Sequence, residues 1–519
     1  MSRSRDIADS TKTLGVDGGT IKLDGNYPVG TQNVALGDTA LDSVAADGNY
    51  NTAIGHASLT ANTTGDTNSA LGRESLLSNT TGSSNTAVGY TALLNNTTAS
   101  NNTAVGYQAG YSNTTGAQNV AVGNAAFLDN TTGNYNTSLG TFALTNNTTA
   151  SNNSAIGYST LSANTTGASN TAVGHQALQA NTTASNNTAV GYQASYSNTT
   201  GTRNTAVGDR ALQDNTTAHD NSAFGHQALT NNTTGASNVA VGRQALTANT
   251  TASLNTAVGY QAGYSSTTGG ANVALGHRTL FTNTTGGSNV AVGYDALYSN
   301  TTASSNTAIG TNAGKGNTTA YGGVFAGHYA GIGVTTGNNN VCIGYLAGYA
   351  GNGPSKLTTG YANILLGNSS NVAAASNHNS IVIAGNGSAG KGSTTGFISP
   401  GGGGVYQGNN SSSWSTTSDR RLKKNIVDST IGLAEINQLQ VRNFEYRTVD
   451  EITELEDHTV IEKSGVQVGV IAQEIQAILP NCVKEESTGV LSVDPDNLTW
   501  HLIKAVQELS ARLEALEGA

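Results

Sequence analysis

The chain has few of the residues that usually brace a fold. Its 519 residues include two cysteines, five prolines, one methionine and two tryptophans. Cys342 and Cys482 set no disulfide framework and suit folding in a reducing cytosol. Hydrophobic residues make up 36%, lean beside the roughly 45–50% apolar content of ordinary domains. No stretch approaches the roughly 18 consecutive apolar residues of a membrane span. The start, MSRSRDIADSTKTLG, has no apolar run after its arginines, so no secretory signal is expected there. Release by cell lysis is the expected route out. What the chain does have is glycine: 65 residues, about twice the usual ~7% yet far from collagen's one-third.

Charge is scarce, at 10%, and uneven. Residues 418–519 hold 10 Lys/Arg and 18 Asp/Glu, a net of −8, whereas the first 417 residues hold 12 and 14, a net of −2. Two kinds of polypeptide meet near residue 418. Neither is basic, so nucleic-acid binding has no electrostatic support.

The dominant pattern is a repeat. Asn-Thr-Ala-Val-Gly, with small variations, recurs so that its glycine falls every 17 residues from Gly55 to Gly344. A further copy precedes at Gly37, and a looser one follows at Gly367. The consensus is N-T-A-V-G-Y-Q-A-L-x-x-N-T-T-G-x-x. A strict period without insertions implies one turn per unit, each stacked on the last. Seventeen residues are too few for helix pairs, and Gly, Asn and Thr are poor helix formers. The unit predicts one coil of a parallel β-solenoid: strand, bend, second short strand and return loop.

Strand alternation then predicts which side chains face inward. Val120 and Val122, or Val239 and Val241, are expected to fill the coil, leaving the small Ala and Gly to meet neighbouring chains. Leucine four residues after the glycine (Leu59, Leu76, Leu93, Leu144, Leu178, Leu229) should fill the core from the second strand. Asn-Thr-Thr-Gly is expected to supply left-handed turns, and equivalent Asn and Thr residues to stack in ladders. Such thin coils bury little surface alone, so trimerisation is the expected remedy. These units resemble the head repeats of YadA-type trimeric adhesins, and the resemblance, over residues 33–344, implies a trimeric parallel β-roll.

The last hundred residues carry different signals. Ser418-Asp419-Arg420-Arg421-Leu422-Lys423-Lys424-Asn425-Ile426 is followed by Gly469-Val470-Ile471-Ala472-Gln473-Glu474-Ile475. After these comes a segment with Leu502, Val506, Leu509, Leu513 and Leu516 at coiled-coil spacing. Asp494-Pro495 reads as the cap and first turn of that helix. In order, these motifs resemble the intramolecular chaperone domain at the C-terminus of bacteriophage tail fibres and tailspikes, the peptidase S74 family. The resemblance implies trimerisation followed by self-cleavage, with Ser418 as nucleophile, Lys423 as general base, and Asp419, Arg421, Ile426, Gln473 and Glu474 as motif residues. On a continuous helix, residues five apart lie roughly 140° apart, so the chain must bend near Ser418 or a neighbouring chain must complete the pair. Attack on the Thr417 carbonyl passes through a five-membered ring, which favours the Thr417–Ser418 bond.

Four segments are therefore expected: 1–30 for virion attachment, a 31–344 rod, a 345–417 irregular β and Gly-rich neck with apolar strands at Asn363–Gly367 and Ser380–Ala384, and a 418–519 α+β chaperone domain ending in a coiled coil over 495–517. The expected function is a homotrimeric tail fibre on the virion tail, folded in the host cytoplasm. Its partners would be tail, baseplate or adaptor proteins at the N-terminus and a bacterial surface receptor, polysaccharide or outer-membrane component. A depolymerase tailspike and a bacterial surface adhesin are the alternatives. The first lacks a recurrent acidic column in the repeats for glycan hydrolysis, and the second lacks the expected export signal. Any enzymatic activity would be single-turnover autoproteolysis. No cofactor, metal, nucleic acid or membrane insertion is expected. His56, His175, His226, His277 and His328 share a column with tyrosines and are expected to stack with them. The Asn-x-Thr triplets read as turn chemistry.

Overall fold

The computed structural model describes residues 14–16, 19–21, 32–349, 356–385, 387–399, 404–408, 415–416, 418–452, 461, 463–486 and 489–518. The chain divides into two units, Met1–Thr417 and Ser418–Ala519. Most of the expected attachment segment, and residues 401–403 of the glycine run, lie outside the described residues.

The first unit is a β-solenoid. Twenty-two strands of three or four residues, from Val34–Leu36 to Gly396–Ser399, form one parallel ladder with one strand per coil. Register is unstaggered: Thr188, Ala189 and Val190 pair with Thr205, Ala206 and Val207. The period thus becomes a set of columns, one residue of each coil above its equivalent. The ladder runs past 344 through Ile364–Leu366, Ile381–Ala384 and Gly396–Ser399, so the expected neck begins with three more rungs. Apolar residues persist there although the glycine phrase fades, and two antiparallel strands, Val405–Gln407 and Ser415–Thr416, follow.

The strand faces are the reverse of expectation. The middle Ala (Ala53, Ala104, Ala172, Ala206, Ala240) is wholly buried, while the flanking Thr/Val and Val/Ile/Leu point outward. Val241, for example, is 37% exposed. The reason is thickness: a 17-residue coil leaves room for one methyl from the strand against one large side chain opposite. Leu59, Leu76, Leu144, Leu178 and Leu229 supply that side chain, as expected, and are buried to 0%.

Where Phe325 takes the alanine place, glycine takes the leucine place in two coils, at Gly314 and Gly331. A Cβ on Gly314 would meet the Phe325 ring at 2.6 Å, and one on Gly331 would collide with it. Core volume is conserved by exchange between columns.

The second strand does not form. Leucine and the residue two before it adopt left-handed backbone instead, as in Arg210 (φ 51°) and Leu212 (φ 52°), with Arg203 (φ 56°) before the strand. Such residues cost of order 1 kcal/mol or more each. Inter-coil bonds offset that: Arg210 N donates to Tyr192 O at 2.8 Å and Leu212 N to Ala228 O at 2.9 Å. The Asn-Thr-Thr-Gly glycine is not the left-handed one; the strand-end glycine is. Gly208 has φ 136°, and a Cβ there would lie 2.6 Å from the carbonyl oxygen of Gly225 in the next coil.

Asparagine ladders form as expected, and there are two. Asn198 Nδ2 donates to Asn181 Oδ1 in the preceding coil at 3.0 Å and to Gly201 O at 2.9 Å. In the other, Asn204 N donates to Asn187 Oδ1 and Asn204 Nδ2 to Ala218 O. These side chains are buried and linked, as buried amides require. Ser266 interrupts the first ladder and leaves Asn249 Oδ1 without a partner. Three of the five histidines stack as expected, His175 lying 5.1 Å from Tyr158 and 5.4 Å from Tyr192, whereas His56 and His226, whose column neighbours are not aromatic, stand beside Asp38 and Asp209 instead.

The second unit contains helices α1 (Leu433–Ile436), α2 (Ala472–Ile478) and α3 (Pro495–Glu517). Strand Arg442–Phe444 pairs antiparallel with Gln467–Gly469, and Val483–Glu485 with Leu491–Val493. Its core centres on Ile475, Leu479 and Cys482, surrounded by Ile436, Leu439, Val470 and Leu498. Glu508 of α3 accepts the free amide of Leu433 at the start of α1 at 3.0 Å. Among the described residues, no helix is long and apolar enough to cross a membrane.

Candidate functional site

Ser418 opens the second unit and is followed by a tight bend. The Asp419 carboxylate accepts the amide of Arg421 at 2.8 Å, capping a 3-10 turn over Arg420–Leu422. Lys423 then leaves the turn in extended conformation, its amide donating to Arg420 O. The bend carries Lys423 back toward Ser418, and its Nζ donates to Ser418 Oγ at 2.6 Å. Residues that a helix would hold apart are thus joined within one chain. Arg421 clamps Asp419 from the side, Nη2 to Oδ2 at 2.6 Å and Nε to Oδ1 at 3.1 Å. That guanidinium, helped by the Arg421 amide, holds the Asp419 carboxyl below its ordinary range. Asp419 therefore stays an acceptor, and the turn keeps its cap.

Ser418 and Lys423 are both exposed. A lysine becomes a useful base only where water is stripped from it, and among the described residues none covers the Lys423 side chain. Thr417 lies outside the described residues. Ile426 is 55% exposed.

Gln473 and Glu474 lie in the first turn of α2, and no described contact links them to the serine–lysine pair. Glu474 accepts from Arg442 of the adjacent strand pair at 3.0 Å, and this hydrogen bond raises the Arg442 pKa. Sequence reasoning missed Arg442, because its pairing with Glu474 spans 32 positions. Gln473 lines a cleft of about 470 Å³ with Phe444, Tyr446, Val470 and Leu491.

Helix α3 has two apolar faces. His501 and Ala505 are buried within the unit. Leu502, Val506, Leu509, Leu513 and Leu516 are each more than half exposed. The helix starts as expected: Asp494 accepts the amides of Asp496 and Asn497 at 3.1 and 3.2 Å, ahead of Pro495.

Residues 418–484 match the peptidase S74 family, described as Chaperone of endosialidase. The second unit carries a chaperone-of-endosialidase domain. Among curated proteins, the chain is 31% identical over 110 residues to a probable tail fiber protein of Escherichia phage Phieco32, covering 20% of this chain and 14% of that protein. It is also 31% and 32% identical over 103 residues to the long tail fiber proteins Gp37 of Enterobacteria phages M1 and Ox2, covering 19% of this chain and 38% of each relative. The chain thus spans less than two-fifths of the length of these relatives. No solved structure matches the chain.

Proposed function

We propose that this chain is a bacteriophage tail fibre: a homotrimer with the solenoid as shaft and the C-terminal unit as intramolecular chaperone. The observation that carries this reading is the outer face of the ladder. Its third strand position is apolar in every coil, from Leu36 to Ile398, with Leu71, Ile156, Phe224, Val258, Ile309 and Ile383 all exposed. A soluble monomer rarely leaves so long an apolar stripe in water. Identical chains packed along it cover it in all coils at once, and the exposed leucine seam of α3 holds the ends together as a coiled coil. The names of the relatives supply the phage assignment. The N-terminus then attaches to the virion tail, and the surface met is a bacterial envelope component.

The chaperone unit removes itself once the shaft is set. Ser418 Oγ attacks the Thr417 carbonyl carbon, its proton passes to the neutral Lys423 Nζ and from there to the Ser418 nitrogen, and the Thr417–Ser418 C–N bond breaks to leave an ester and a free amine. Water then hydrolyses the resulting ester. Asp419 and Arg421 are positioning residues that hold the bend. Neighbouring chains supply the desolvation that the exposed pair lacks, so cleavage follows assembly. Denaturing electrophoresis checks this: wild type yields two fragments divided near residue 417, and Ser418→Ala stays at the full 52.5 kDa. Full-length bands for both proteins contradict cleavage. Antibody raised against the shaft should decorate virion tails in electron micrographs, and unlabelled tails contradict the tail-fibre reading.

A further inference from the structure

The columns of the solenoid carry an uneven charge. Residues 32–220 hold nine acids and three basic residues, whereas residues 221–417 hold one acid, Asp295, and five basic residues. The shaft therefore passes from a net of −6 to a net of +4 along its length. Three of the five cations, Arg243, Arg278 and Lys315, fall on or directly beside three coils that carry a distinctive set of rings.

On these coils two neighbouring columns are aromatic together. Tyr260, His277 and Tyr294 stack at 5.1 and 5.0 Å, and beside them Tyr264, Phe281 and Tyr298 stack at 5.2 and 5.1 Å. Arg278 stands between the columns, 5.8 Å from the Tyr294 ring centre and 5.2 Å from that of Tyr298. Arg243 caps the first stack over Tyr260, and Lys315 lies over Tyr298. Asp295, 1% exposed, receives both Arg278 Nη2 at 3.1 Å and Lys315 Nζ at 2.9 Å. One cation neutralises a buried carboxylate; here there are two, and Arg243 adds a third with no acid near it in sequence. The ring faces are occupied by one another, so the strip offers edges, tyrosine hydroxyls and cations. Gln261 lies in the same coil as Tyr260 and adds an amide.

We infer that this strip is a binding site for an acidic polysaccharide lying along the shaft. Hydroxyls and amides suit sugar hydroxyls, and the surplus cations suit phosphate or carboxylate substituents. From Arg243 to Lys315 the strip spans four rungs, about 19 Å at ~4.8 Å per rung, so one polymer segment meets three cations. The inference rests on the tail-fibre reading and names the chemistry of its receptor.

The test uses the intact chain on surfaces of phosphorylated lipopolysaccharide, the same material dephosphorylated, alginate, and neutral dextran. The site predicts binding to an acidic surface that weakens as salt rises. Lys315→Ala with Arg243→Ala leaves Asp295 paired to Arg278, and this double variant should bind about tenfold or more weaker. Lipopolysaccharide and alginate distinguish phosphate from carboxylate recognition. Equal binding by wild type and double variant, equal binding to dextran, or no binding to either acidic surface overturns the site. If wild type and double variant adsorb equally to bacterial cells, the strip fails and the tail-fibre reading stands. Loss of shaft labelling on virions fails that reading instead.

Discussion

In the solenoid, a buried Ala or Leu of one coil lies against its equivalent in the next. The C-terminal unit gathers its core around Ile475, Leu479 and Cys482, taken from one helix and the turn after it. The solenoid repeats a small solution along its ladder, each coil bonding both neighbours, so stability accumulates with coil number. What it lacks is a starting point, because a first coil has nothing to stack on. The C-terminal unit has the opposite character: a small core of its own and a long helix whose best apolar seam faces water. A propagating element joined to an associating element suits assembly from the C-terminal end.

That comparison can be broken at either region. The largest effect is expected from Leu509→Asp with Leu513→Asp, which places charge in the seam and leaves the domain core untouched. The shaft should then fail to assemble and accumulate as aggregate, read by sedimentation of the soluble fraction. Soluble, fully assembled protein from this variant would show that the solenoid starts itself. Next comes Phe325→Ala, which should cost about 3–5 kcal/mol of local stability, because Gly314 and Gly331 leave no side chain to refill the space. Hydrogen exchange should accelerate over residues 307–343 and hardly change thirty residues away. Uniform acceleration would mean that the coils unfold as one body rather than locally.

A smaller effect is expected at the start of α3. The Lys484 ammonium, with the Asn497 amide, holds the Asp494 carboxyl below its ordinary range. Folding lowers this pKa, so the stabilisation is complete above the unfolded value and is lost as pH falls through the folded one. Amide protection in the first turn of α3 should decline with acid in wild type and stay flat in Asp494→Asn. Identical profiles would remove the cap from the account. The smallest effect is a gain: Ser266→Asn supplies the donor that Asn249 Oδ1 lacks, worth about 1 kcal/mol. Unchanged protection around residues 249–283 would count against ladder continuity as a source of stability.

Much of the architecture was legible because a 17-residue period without insertions leaves few other solutions. Ladders of Asn and stacks of Tyr and His follow directly from registering equivalent positions. The orientation of the strand was not legible from alternation alone. Val-Ala-Val alternates equally well either way, and only the thinness of the coil decides that Ala goes inside. Nor was the left-handed backbone at residues such as Leu212, since leucine rarely adopts it and only the inter-coil bonds hold it there. At the C-terminal end, Ser418 and Lys423 were found by their motif, but the Asp419-capped turn that joins them depends on local geometry. Arg278, Asp295 and Lys315 were overlooked because they are far apart in sequence. Writing the coils one above another would have put Asp295 directly beside Arg278.

The claim on which the rest stands is that identical chains cover the apolar stripe and the leucine seam. Light scattering on Ser418→Ala, which keeps the chain whole, measures this directly. The expected particle has three times the 52.5 kDa chain mass, independent of dilution. A soluble particle of a single chain mass, with the stripe in water, would contradict it.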